Sequence, residues 1–382
     1  MRIDFNASER CSVGVEWELE LVDLETRQLA SAASEILGEL RPAGALDHPK
    51  AKHELFESTI EVITGICATV AEAQADLAAT VALVAERAAV RGLGLMCSGT
   101  HPTTGWSTQT VSPSPRYAKL VEDNQWLARR LQIFGVHVHV GVRSADKVIP
   151  FVNALTAYIP HFLALSASSP YWVGADTGLA SARSKVFEGL PTAGIPYALS
   201  GWAEFEHYME TLISTRTIES VREVWWDIRP HPTFGTVELR ICDGLPTLEE
   251  IGAVAALSQC LVDRFDRETD RGSTLSTPRS WVVRENKWRA ARYGLDAEII
   301  LGDDHSVVPV RTALADLVEE LRPTARRLGC EAELESVTRI LELGASYQRQ
   351  RAVAARSGGD LTAVVDSLLA EMRDGLGPQV SR

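Results

Sequence analysis

Six consecutive residues, Val15-Glu16-Trp17-Glu18-Leu19-Glu20, alternate apolar and acidic without a break. In an extended strand successive side chains point to opposite faces, so Val15, Trp17 and Leu19 take one side and three carboxylates the other. Same-face neighbours stand about 7 Å apart, and at an effective dielectric near 20 two carboxylates at that distance repel by roughly 2 kcal/mol. Such a strand needs a dry layer against one face and water or a cation against the other. Taken alone, it reads equally well as an edge strand with a solvated acidic face.

Three further segments repeat the pattern. In Phe134-Gly135-Val136-His137-Val138-His139-Val140-Gly141-Val142 the alternation sends Val136, Val138 and Val140 to a core and both histidines to the opposite face, where Gly135 and Gly141 leave room. Two histidines at i and i+2 can ligate a metal or hold phosphate, because neutral imidazole is a ligand and its protonated form a donor. By themselves they read more readily as two half-exposed rings beside small residues. Thr236-Val237-Glu238-Leu239-Arg240-Ile241 puts Glu238 and Arg240 opposite an apolar side, where an ion pair of little worth is the plainer reading. His53 to Val62 is a fourth segment and carries Glu54 and Glu61. Four such strands predict a sheet with a polar cavity on one face, whose carboxylates would collect magnesium; no thiolate set favours a softer metal.

Elsewhere the chain reads as α+β, with strands early and late and helices between them. A helix is predicted over Ala68 to Arg91, where Val70, Ala73, Leu77, Val81, Val84 and Ala88 recur at helical spacing. Strands are expected at Val13–Asp23, Leu55–Thr64, Ile133–Arg143 and Gly235–Cys242, and helices over Tyr117–Leu131, Lys147–Ser166 and Trp202–Ser214. Gly99–Pro115 and Ser168–Tyr197 read as irregular, the first long enough to be a functional loop. From about residue 248 to 382 the pattern is mainly helical. With no Pro/Gly/Ser-rich linker and no internal repeat, one domain over residues 1–382 is the simpler reading.

The 382 residues are 45% hydrophobic, enough for an extended core without staples. Six cysteines lie far apart with no CxxC pair, which fits reduced thiols in a cytosol. No signal-like segment opens the sequence, and the apolar run from Leu77 to Val90 meets Glu86 and Arg87 before the roughly 20 residues a membrane span needs. A formal net charge of −13 argues against nucleic acid as a partner, since that affinity rests on Lys and Arg neutralising phosphates. Divalent cations between carboxylates and phosphates would still admit a nucleotide. Neither glycine-rich phosphate fingerprint is present.

Together the motifs resemble the second type of bacterial glutamate-cysteine ligase, a carboxylate-amine ligase family of the glutamine synthetase-like superfamily. The resemblance runs nearly end to end. It rests on Gly14-Val15-Glu16-Trp17-Glu18, Ser58-Thr59-Ile60-Glu61-Val62-Ile63-Thr64-Gly65, Gly135 to Gly141, Ser168-Ser169-Pro170, Trp226-Asp227-Ile228-Arg229-Pro230, Gly235 to Arg240 and Asn286 to Gly294. It implies a curved, mostly antiparallel sheet with helices outside and the active site in its hollow. It also implies that Glu16, Glu18, Glu54, Glu61, His137 and Glu238 hold two or three Mg2+ ions and the phosphates of ATP. Glu54 is off the alternation parity of Glu61, so its role requires a bulge or a strand end.

The chemistry implied is attack of a carboxylate on the γ-phosphate of ATP, then attack of an amine that expels phosphate. Arg240 would reach the transferring group, Arg229 would hold phosphate, and Arg183 would clamp a substrate carboxylate. His139 reads as a phosphate donor or a neighbour. Lys287, Arg289 and Arg292 read as nucleotide contacts or as a solvated face. Trp17, Trp106, Trp225 and Trp226 could pack beside adenine or simply fill core and rim. The resemblance also implies glutamate and an amine such as cysteine as substrates, and a homodimer. Two competing readings are a metal-dependent amidohydrolase built on His137 and His139, for which His231 and His305 lie in poor contexts, and a binding protein that has lost catalysis.

Overall fold

A computed structural model of the chain describes residues 1–45, 47–301 and 306–376. In chain order its strands are β1 (Val13–Asp23), β2 (Ala51–His53), β3 (Thr59–Ile63), β4 (Leu93–Met96), β5 (Val136–Gly141), β6 (Tyr171–Trp172), β7 (Ala175–Asp176), β8 (Ile228–His231), β9 (Thr236–Leu239), β10 (Glu298–Leu301) and β11 (Ser306–Pro309). Seven of them form one open antiparallel sheet in the order β2-β3-β1-β5-β9-β8, with β4 on the far end of β1. The remaining four make two small hairpins, β6–β7 and β10–β11.

The alternation in the sequence is honoured by the sheet. Val13, Val15, Trp17, Leu19, Ile60, Val62, Val136, Val138, Val140, Val237 and Leu239 are all at most 2% exposed and belong to one apolar cluster. Helices Val70–Ala89, Ala145–Leu155 and Leu248–Asp270 pack against this sheet. Each buried aliphatic side chain contributes on the order of 1.5–3 kcal/mol, which favours this register over one shifted by a residue. Trp17 satisfies its indole N–H within the layer by donating to the Leu245 carbonyl at 3.0 Å.

The helix Val70–Ala89 starts where Thr69 and Glu72 form a reciprocal capping box, and it buries Val70, Ala73, Leu77, Val81, Val84 and Ala88. The chain then turns at Gly92, in the left-handed region at φ 69°. Leu248–Asp270 is buried almost all round, with sixteen buried residues, and lies between the sheet and the helices Val310–Leu328 and Glu331–Leu343. Ala145–Ser166 is 22 residues long with a mean hydropathy of 1.5, enough to pass for a membrane span, but 78% of that window is buried inside the fold.

Several expectations are corrected. His53 to Val62 is two strands, β2 and β3, with a turn between them where Thr59 N–H donates to Phe56 at 3.0 Å. Lys147–Ser166 is two helices: the first ends at Leu155, a tight turn spans Thr156–Tyr158, and Pro160 opens the second. Tyr117–Leu131 breaks at Gln125, whose φ of 48° no helix accommodates. The stretch read as irregular holds a helix, Ala182–Phe187. Strand β8 went unread because it contains Pro230; it is the edge strand, where a missing N–H costs no ladder bond. Residues 377–382, part of the segment read as helical, and His305 lie outside the described residues.

Candidate active site

The pairing of β1 with its neighbours assembles the charged face. Glu18 lies opposite Glu61 on β3, and Glu16 lies opposite His137 on β5. His139 faces Glu238 on β9, which in turn faces Arg229 on β8. Lys52 of β2 is opposite Glu61, so Glu54, two residues on and just past the strand end, returns to the same side. That resolves its parity: Glu54 follows the end of β2 and is not on the strand of Glu61.

Around Glu16 the geometry is that of a satisfied network. Its two carboxylate oxygens meet His137 Nδ1 at 3.0 Å and His139 Nε2 at 3.3 Å. Burial works to raise this carboxyl, but the two histidine bonds outweigh it and hold it below the usual range. Glu238, only 1% exposed, is gripped by Arg229 through Nε at 2.6 Å and Nη2 at 3.2 Å, and Arg240 bonds it from the other side. Burial raises Glu238 too, yet the two guanidinium groups hold it well below the usual range. Arg229 Nη1 donates to the carbonyls of Val224 at 2.9 Å and Arg222 at 3.3 Å, so the group is committed chiefly to bracing Glu238.

The second half of the face is under-satisfied. Burial, with the charge of Glu54, pushes the Glu18 carboxyl up to about 8. Glu61 is raised well above the usual range by burial and then by Glu16, Glu54 and Glu18, and Glu54 is raised by burial. Like charges directly across a ladder are destabilising, and although Arg240, Arg183 and Arg116 offset this set in part and Gly135 N–H donates to Glu18 at 2.5 Å, all three carboxyls stay raised. His137 explains how a cation would fit. Burial and the nearby Arg240 push its ring down to about 4, so it is neutral. Its Nδ1 must donate to the ionised Glu16, which leaves the Nε2 lone pair buried without a partner, 3.9 Å from Glu18 Oε1.

Among the described residues, two groups bring potential ligand atoms within 4.8 Å of one another: Glu16–His137–Glu238 and Glu18–Glu61–His137. Both are carboxylate-rich with one imidazole, a set that suits a hard divalent cation. They share His137, and Glu54 belongs to neither. His139 is not in either group, which removes the footing for an amidohydrolase using the two histidines together. Its Nδ1 is 2.9 Å from the Thr236 hydroxyl, and despite burial Glu238 and Glu16 raise its pKa.

Two cavities meet at this face. The larger, about 1010 Å³, is lined by Glu16, Glu54, Glu61, His137, His139, Arg229, His231, Phe234 and Arg240. The smaller, about 520 Å³, is lined by Glu18, Glu54, His137, Arg183 and Arg240 together with Arg116, Lys119 and Arg222. Arg240 therefore borders both, and its buried Nε has no hydrogen-bond partner among the described residues. Arg183 is buried against Gly135, where a Cβ would sit 2.3 Å from its Nη2. Its own bonds, to the carbonyls of Arg240 and Ile241, are long at 3.4 and 3.5 Å, and its Nε is unpartnered.

The structure does not bring the three basic residues of helix Ser280–Tyr293 to either cavity. Lys287 is 1% exposed and pairs with Asp227 at 2.6 Å and Glu188 at 2.5 Å. Arg289 pairs with Glu285 at 2.8 Å and Arg292 donates to the Gly178 carbonyl. Helical spacing showed that they share a helix, not what that helix packs on. Glu20, the third carboxylate of β1, is sealed off: it is 0% exposed, accepts from Ser98 N–H at 2.9 Å, and is pushed up to about 8 by burial. Four cavity-lining residues were missed: Lys52 lies in the three-residue strand β2 and Arg222 in the single turn Val221–Glu223, both too short for a periodic signal, Arg116 is in the first turn of helix Pro115–Asn124, before the predicted helix start, and Phe234 is in the β8–β9 turn.

An open antiparallel sheet with a carboxylate–imidazole floor and backing helices is the fold of glutamine synthetase-like ligases. The glutamate–cysteine ligase from Francisella tularensis, solved with AMP, superposes with a TM-score of 0.71 at 12% identity, covering 99% of this chain and 91% of that one. A bifunctional glutathione synthetase from Pasteurella multocida gives 0.68 at 16% identity over 95% of this chain and 53% of its own. In sequence, the chain is 64% identical over 376 residues, 98% of each chain, to a Frankia alni protein provisionally named glutamate–cysteine ligase 2-1. The profile of glutamate-cysteine ligase family 2 matches residues 12–367, and the chain belongs to that family. It is accordingly an ATP-dependent carboxylate–amine ligase.

Proposed function

We propose that the chain couples the side-chain carboxylate of an amino acid, with glutamate the first choice, to the amine of a second amino acid such as cysteine, through an acyl phosphate. The observation that carries this reading is the pair of carboxylate clusters sharing His137 at the junction of two cavities. Two reactants can approach such a junction from opposite sides. The relatives' names supply glutamate and cysteine.

Glu18, Glu61 and the free Nε2 of His137 would hold one Mg2+ ion, and Glu16 and Glu238 would hold a second, with Glu54 beside them. When bound, the ions neutralise phosphate charge and screen the carboxylates from one another. The remaining work falls to the chain. Arg240, bordering both cavities, stabilises charge as the carboxylate oxygen attacks the γ-phosphorus and ADP leaves. Arg183 holds the substrate carboxylate in the smaller cavity, and His139 donates to phosphate in the larger. The amine then attacks the acyl carbon and inorganic phosphate departs. Arg229 positions Glu238.

The expected setting is cytoplasmic, in keeping with six free cysteines, and the expected assembly a homodimer. The test is ADP release with Mg2+ over a matrix of amino-acid carboxylates and amines. Turnover is expected with glutamate and a thiol amine, and its loss in Glu16→Gln and Glu238→Gln with circular dichroism unchanged in Glu16→Gln. Near-normal rates in both variants discard the cluster assignment; no ADP with any pair discards the ligase chemistry.

A further inference from the structure

The larger cavity carries an exposed aromatic surface that the reading above does not use. Phe234, at the β8–β9 turn, is 54% exposed although it lines that cavity. One of its faces lies flat on the His231 ring, with centroids 4.1 Å apart and planes 9° from parallel. His139 meets both rings edge-on, at 5.4 Å and 5.7 Å. Burial pushes His231 down to about 4, so this stack is uncharged near neutral pH. An aromatic ring with one face supported and the other open to a cavity is a place for a planar ligand. A single imidazole, His139, separates it from the Glu16 carboxylate.

The turn itself is held by the segment from Asn6 to Ser12. Asn6 N–H donates to the Pro232 carbonyl at 2.9 Å, Asn6 Nδ2 to Thr233 at 3.0 Å, and the Ser8 hydroxyl to Phe234 at 2.6 Å. The approach is so close that a Cβ on Gly235 would fall 1.7 Å from the Asn6 carbonyl. Gly235 also has φ 63°, so two constraints require glycine there. Three bonded turn residues and a supported ring make a preformed surface rather than a loose loop.

We infer that Phe234, backed by His231, is the platform on which the purine base of ATP stacks, with the phosphates running over His139 to the Glu16 and Glu238 carboxylates. The inference rests on the ligase reading and deepens it. Of the tryptophans considered beside adenine, Trp17 and Trp226 are at most 2% exposed and Trp106 lines neither cavity. Trp225 lines both cavities and is the rival platform.

The experiment compares ATP with inorganic tripolyphosphate, which has the phosphates and no base. Affinities are measured calorimetrically with Mg2+ on wild type, Phe234→Ala, Phe234→Trp and Trp225→Ala, with steady-state kinetics beside them. Phe234→Ala is expected to weaken ATP about ten-fold, the loss of one base–aromatic stack, and to leave tripolyphosphate unchanged. KM for ATP rises, kcat holds, and Phe234→Trp restores affinity. The platform is elsewhere if Trp225→Ala alone shows the base-dependent loss. Equal loss of both ligands in Phe234→Ala makes the residue structural and overturns the proposal. A wild type that turns over but binds ATP no better than tripolyphosphate overturns it while sparing the ligase reading; one that binds neither and releases no ADP overturns both.

Discussion

At the scale of single residues, the carboxylates of one face divide by what already satisfies them. Glu16 and Glu238 accept close hydrogen bonds from histidine and arginine, whereas Glu18 and Glu61 face each other with no close side-chain donor among the described residues, Glu18 accepting only from the Gly135 N–H. Substitution separates the two kinds. Glu238→Gln strands the buried Arg229 and should cost about 3–5 kcal/mol in chemical denaturation. Glu61→Gln removes one member of a repelling set, so in EDTA it should be at least as stable as wild type while losing turnover. Glu18 and Glu20 both stand near 8. Between the ordinary carboxyl range and about 8 the folded chain binds protons that the unfolded chain releases, so their contribution to stability shrinks as pH rises through that window. The melting temperature of the metal-free protein should therefore fall from pH 6 to pH 8, and Mg2+ should recover more of it at pH 8. A melting temperature that rises over that range in EDTA would contradict the carboxyl assignments.

At the scale of elements, alternation in β1, β5 and β9 was legible because each strand has a dry face that pays a full side-chain penalty for a register slip. Glu16, Glu18, His137 and Glu238 could thus be placed on one face from sequence. Glu54 could not, since its side depends on the turn after β2, and neither could β8, whose Pro230 is tolerable only at an edge. Lys287 shows the opposite limit: its charge suggested a ligand, but two other segments meet it with carboxylates, Asp227 just before β8 and Glu188 at the end of helix Ala182–Phe187. The N-terminal segment makes an element-level prediction. A Cβ at Gly141 would lie 2.2 Å from the Glu9 carbonyl, so Gly141→Ala should displace the segment and cost about 1–3 kcal/mol by urea unfolding. No change in midpoint would mean the segment does not bear on β5.

At the scale of the whole molecule, the sheet's dry face is covered by helices from both ends of the sequence, Val70–Ala89 and Leu248–Asp270. We propose on that ground that the sheet and the later helices fold as one cooperative unit. A chain ending before Leu248 should lose its near-ultraviolet circular dichroism and cooperative melting; a sharp transition in that fragment would show two separable units. What the sequence alone determined was which strands have a charged face and which residue types occupy it, because a period of two is a local property of the backbone. The tertiary structure decided which of those charges meet, since cross-strand register puts Glu18 against Glu61 and His137 beside Glu16 while packing turns Lys287 and Glu20 away. Pairing partners far apart in sequence carry no local signature; only the closed set of hydrogen bonds and buried contacts selects them.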